Sequence, residues 1–120
     1  MNQGERQLRR VPRYPVSAPA SVIPESGTRV DAQVTELSLY GCYLNSLATL
    51  PSRTRVLVKI FAADGEYFEA NATVIYSGSN VGMGLVFRQV NEQFLAVLRK
   101  WLQKAMEQSA SEGENPSQEK

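Results

Sequence analysis

Histidine is absent from this 120-residue chain. Its absence removes the usual general base near neutral pH, every Ser–His or Cys–His dyad, and the commonest metal ligand. A single cysteine, Cys42, excludes an internal disulfide and, without histidine, a thiolate zinc site; a cytoplasmic setting fits. No apolar run approaches the roughly 20 residues of a membrane-spanning helix. The arginine-rich start is not followed by an apolar core, so neither membrane insertion nor a secretory signal is expected. A surplus of one charge is also missing, with 13 Lys+Arg against 12 Asp+Glu. That balance argues against the broad basic face of a nucleic-acid binder. No spacing recommends carboxylate-pair or lysine chemistry, and the expectation is a protein without catalysis.

What is present is local basic charge and a regular hydrophobic rhythm. Arg6, Arg9, Arg10 and Arg13 crowd the front with only Glu5 as acidic company. Residues 1–8 read as a flexible lead. From Tyr14 the pattern has period two, with Val16, Ala18, Ala20 and Val22 on one face. Pro15 and Pro19 cannot donate to a ladder, which predicts an edge strand. A second strand follows with Val30, Ala32 and Val34, interrupted by Ser38–Gly41 and resuming at Cys42. Val56, Val58 and Ile60 mark another strand. Asp64-Gly65 signals a hairpin, and Phe68, Ala70, Ala72, Val74 and Tyr76 share one face of its return. "SGSN" (77–80) reads as a turn. The last strand, "VGMGLVF" (81–87), carries Gly82 and Gly84, which call for close packing or a bend.

After Val90 the period changes. Phe94, Leu95, Leu98, Trp101, Leu102 and Ala105 follow helical spacing, with Asn91 placed to cap the start and Lys104 near the end of the dipole. Residues 108–120 lack large apolar side chains and are expected to be a disordered tail. Six short antiparallel strands need closure or cover. The predicted fold is therefore mainly β: a six-stranded antiparallel barrel with a C-terminal α-helix packed on it, spanning residues 9–107.

Two short segments carry a functional signal. Arg9-x-x-x-Arg13 stands immediately before the first strand, and "ELSLYG" supplies Glu36, Ser38 and Gly41 where the second strand ends. Together they resemble the PilZ domain family, with its RxxxR segment and its [D/N]xSxxG turn. The "GMGLVF" strand followed by a helix is similar to that family as well, and the likeness runs from about residue 9 to 103. The resemblance implies a split-barrel fold and a receptor for cyclic di-GMP, with no further cofactor and no metal. It also implies a bacterial, cytoplasmic protein, monomer or homodimer, that passes the signal of this second messenger to a downstream effector in motility or biofilm control.

The implied contacts suit the ligand, which has two guanines and two phosphodiesters. Arginine forks onto guanine O6 and N7, pairs with phosphate, or lies on a purine face. Arg9, Arg10 and Arg13 would close over the ligand from one side. Glu36 would accept guanine N–H groups and Ser38 would offer its hydroxyl. Gly41 would let the turn take positive φ. Glu36 stands where the family has Asp or Asn and reaches one methylene farther. The same likeness thus admits a second reading, an interaction adaptor in pilus or motility machinery that no longer binds nucleotide. An oligonucleotide-binding barrel is a third, disfavoured by the near-zero net charge. Cys42 is expected in the barrel wall and Trp101 in the core. Asp64 and Glu66 sit at a hairpin tip with no expected role, and the scattered tyrosines form no evident stacking platform.

Overall fold

Alternation of small and β-branched residues through the first ninety positions produces six strands whose inner faces meet around one core. In the computed structural model, which describes residues 11–78 and 82–113 (backbone alone for 110–113), these are β1 (Tyr14–Pro24), β2 (Val30–Leu37), β3 (Gly41–Asn45), β4 (Arg55–Phe61), β5 (Tyr67–Gly78) and β6 (Gly82–Gln89). They close antiparallel in the order β1-β2-β3-β6-β5-β4. Helix α1 (Glu92–Gly113) follows and packs on β5 and β1. The predicted six-stranded barrel with a C-terminal helix is the observed architecture.

The inner face is the one the alternation marks. Val22, Val34, Val58, Ile60, Phe68 and Val74 are all fully buried. Leu98 of α1 joins them in the same cluster, and burying such a leucine contributes about 2 kcal/mol. Phe68 anchors the helix side: its ring lies 5.1 Å from Phe87, 6.4 Å edge-on from Phe94 and 6.4 Å from Trp101.

Three expectations are corrected. β1 is not an edge strand, for it pairs with β2 along most of its length and with β4 from Ala20 to Pro24. The prolines are tolerated because Pro15 and Pro19 fall in the half that β4 does not reach. Tyr76 does not share the inner face with Val74. Ile75 is an extra residue opposite β6, between the pairs Val74↔Leu85 and Tyr76↔Gly84, and this bulge turns Tyr76 out to 48% exposure. The helix runs to Gly113, so 108–113 are helical rather than tail and Lys104 lies within the helix body. Asn91 precedes the helix and its carbonyl accepts the Leu95 N–H at 2.9 Å. The remaining tail (114–120), the lead (1–10) and 79–81 lie outside the described residues. Among the described residues, no helix is long and apolar enough to cross a membrane.

Glu66 has a role that its hairpin position did not suggest. Its carboxylate accepts from Lys100 Nζ at 2.6 Å and from Trp101 Nε1 at 3.0 Å, tying the β4–β5 hairpin to the helix. The Lys100 hydrogen bond, then that of Trp101, holds the Glu66 carboxyl below its ordinary 4.5. A lowered folded-state value means the tie is fully present above 4.5 and is lost as pH falls through the lower folded value. Trp101 is the sole tryptophan, so its emission reports the contact. Emission is expected to stay constant from neutral pH down through 4.5 and to change only below it; Glu66→Gln should remove that acid step.

Candidate functional site

The register of β1 on β2 sets Tyr14 against Leu37 and Pro15 against Glu36. The residue before Tyr14 is thereby carried over the turn that ends β2. Arg13 Nη1 lies 3.8 Å from Glu36 Oε1, and its guanidinium sits 5.3 Å above the ring of Tyr43. Both side chains of the ion pair keep over a third of their surface in solvent, so the pair itself is worth only about 0–1 kcal/mol. Arg9 and Arg10 lie outside the described residues.

Glu36 points outward because β2 bulges. Thr35 is an extra residue between the pairs Val34↔Leu44 and Glu36↔Tyr43. Strict alternation from Val34 would have turned Glu36 inward; the bulge leaves it half-exposed and sends Leu37 into the core. The bulges at Thr35 and Ile75 thus re-aim Glu36 and Tyr76 on two strands of one wall.

Ser38 is buried and its hydroxyl serves the turn. Oγ accepts the N–H groups of Tyr40 and Gly41, both at 3.2 Å, and donates to the Gly41 carbonyl at 3.3 Å. The Ser38 N–H closes the turn onto the same carbonyl at 2.9 Å. The hydroxyl expected to face a ligand is therefore already held inside.

The positive φ expected at Gly41 is not found, since among the described residues only Gly65, Gly82 and Arg53 have it. What excludes a side chain at Gly41 is proximity: a Cβ there would fall on the Leu85 carbonyl oxygen of β6. Gly82, at φ 116°, meets the Leu44 carbonyl in the same way. These two contacts draw β6 tightly against β3.

The resulting shallow hollow is lined by Arg13, Glu36, Tyr43, Ile75 and Gly84 above a floor that includes Ser38, Gly41 and Cys42. Tyr43 was not singled out from the sequence, and Gly84 was read only as a place of close packing or a bend. Gly84 pairs with Tyr43 across β3–β6, and a Cβ on it would come within 3.0 Å of the Tyr43 ring. The bare backbone lets the ring lie against the sheet with Arg13 above it. The usable signal was the spacing: Tyr43 is the first outward position after the turn, and Gly84 is the gap opposite. Burial pushes the Cys42 thiol up to about 12, so it contributes no nucleophile. Among the described residues no cluster of three or more metal-ligating side chains occurs.

Two outcomes are expected from this packing. Gly41→Ala should cost about 3 kcal/mol by overpacking and lower the melting temperature by roughly 10 °C or more. Cys42 should resist a water-soluble disulfide reagent at about pH 8, where an exposed cysteine is substantially thiolate, and should react fully only on unfolding.

Comparison with known proteins agrees with this architecture. No curated protein matches the sequence significantly. Among solved structures, the crystal structure of the PilZ domain of CeSA from a cellulose-synthesizing bacterium aligns with a TM-score of 0.61 and 24% identity, over 75% of this chain and 93% of that one. The PilZ domain of YcgR from Escherichia coli, solved with cyclic di-GMP, aligns with a TM-score of 0.67 and 14% identity, over 89% of this chain and 98% of that one. At these identities the likeness is one of fold. The PilZ domain family model matches residues 7–104, and over this barrel and helix the chain belongs to the PilZ domain family.

Proposed function

We propose that this chain is a non-catalytic receptor for cyclic di-GMP that takes its ligand over the Arg13–Glu36–Tyr43 hollow. The observation that carries the reading is the meeting of the two motif halves: the β1–β2 register delivers Arg13 to Glu36. Family membership and the nucleotide-bound YcgR domain support the ligand class.

The exposed groups fit the parts of the ligand. Arg13 forks onto a guanine edge or a phosphodiester, and the Tyr43 ring offers a face for stacking. The Glu36 carboxylate accepts guanine N–H groups. Binding must separate Arg13 from Glu36, which costs at most about 1 kcal/mol against about −8 kcal/mol for a micromolar complex. Ser38 and Gly41 act through the backbone, holding the turn that presents Glu36. The hollow is a shallow surface depression rather than an enclosing small-molecule site. Arg9 and Arg10, as the other arginines of the motif, are proposed to supply further contacts to the ligand. Ordering of the lead on the barrel then provides the surface that a downstream effector reads.

The Arg13–Glu36 pair also favours a second reading. An arginine that already faces a carboxylate of its own chain is what an adaptor without nucleotide affinity would carry. Isothermal titration separates the two. Cyclic di-GMP should bind with micromolar affinity, Arg13→Ala should lose at least about 100-fold, near 2.8 kcal/mol, and Glu36→Asp should bind as well or better. No heat with about 100 μM protein would overturn the receptor reading and leave the adaptor reading standing.

A further inference from the structure

We propose that the outer face of β4, β5 and β6 carries a second binding surface, lined by Arg53, Arg55 and Arg88, that takes an acidic segment of a partner protein bearing apolar side chains. A hollow of about 900 Å³ opens there and shares no lining residue with the nucleotide hollow. All three arginines are exposed, and among the described residues none is ion-paired with a carboxylate. Glu25 is the one acidic residue in the lining. Three arginines against one glutamate leave this lining net positive in a chain whose net charge is only +1.

The arginines are held in place. Arg88 Nε donates to Thr73 Oγ1 at 3.1 Å, and Thr73 is the cross-strand partner of Arg55. Arg53 has φ 78°, a conformation that glycine or asparagine adopts more readily. It is locked by its own N–H to the Val74 carbonyl at 2.6 Å and by the Val74 N–H to the Thr54 carbonyl at 2.9 Å. An arginine at that position sets a cation on the rim despite the backbone strain.

The floor decides the class of occupant. Ile23 and Leu57 are half-buried cross-strand partners in the lining, with Asn71 beside Leu57. A phosphate ion or a nucleic-acid backbone makes no use of apolar floor, whereas a segment mixing carboxylates with leucine-like side chains uses both. The barrel is closed, so this face offers no free strand edge, and recognition runs through side chains rather than added backbone pairing.

The test is a titration of the isotopically labelled full chain, read by NMR. The probes are a decapeptide alternating Glu with Leu, its Gln-for-Glu counterpart, a single-stranded decanucleotide, and inorganic phosphate. The acidic peptide should shift the signals of Arg53, Arg55, Arg88 and Asn71, and the Gln peptide should bind at least about tenfold more weakly. Arg55→Gln with Arg88→Gln should lose at least about tenfold for the peptide and leave the cyclic di-GMP titration as in the parent. Arg53→Gly relieves the φ strain, so it should melt no lower than the parent yet bind peptide more weakly. Shifts absent at millimolar peptide, unchanged binding by these variants, or tighter binding of the decanucleotide or phosphate would overturn the proposal.

Discussion

Antiparallel pairing of β1 with β2, Tyr14 against Leu37, sets where the chain enters the barrel. Everything at the candidate site follows from that register. One residue before the first pair stands Arg13, and one residue after Leu37 begins the turn closed by the Ser38 hydroxyl. A slip of β2 by one residue would turn its inner face outward, removing Val34 and Leu37 from the core. The hydrophobic interior that stabilises the fold therefore also fixes the distance between Arg13 and Glu36.

Bulges and bare backbone refine what the register places. The extra residues Thr35 and Ile75 reverse the facing of Glu36 and Tyr76, the first bringing Leu37 into the core and the second leaving Val74 there. Gly41 and Gly82 permit β6 carbonyl and β3 carbonyl contacts that no side chain would allow, and Gly84 gives the Tyr43 ring a surface to lie on. The barrel wall near the turn is thus rigid and closely packed, while the groups facing outward from it, Arg13 and Glu36, form only a loose pair. A rigid base carrying weakly engaged polar groups is suited to rearranging its contacts when an anion arrives, with little loss of fold stability.

Much of this was legible in the sequence because it is local. Inner faces such as Val56-Val58-Ile60 follow from period two, the hairpin follows from Asp64-Gly65, and the helix stripe follows from Phe94, Leu98 and Trp101. The misreadings of the strands and of Glu66 depend on partners distant in the chain. Pro15 and Pro19 suggest an edge, yet only the offset of β4 on β1 shows where prolines do no harm. Tyr76 looks inward until Gly84 is set opposite it. Glu66 looks idle until Lys100 and Trp101 arrive from 34 and 35 residues away. At the site, the motif pattern named Glu36, Ser38 and Gly41 but not their parts. A turn serine can face either way, and a glycine needed for close approach has the same letter as one needed for positive φ. Tyr43 went unnoticed because its place beside Arg13 needs three strands in register.

The central claim is that the residues converging at the β2–β3 turn hold a purine dinucleotide. Intermolecular nuclear Overhauser contacts in a mixture of the labelled chain with cyclic di-GMP test it most directly. The account predicts contacts from guanine H8 or ribose protons to the Tyr43 ring and to the Arg13 side chain. Contacts that map to another part of the barrel, with Arg13 and Tyr43 unaffected at saturation, would contradict it.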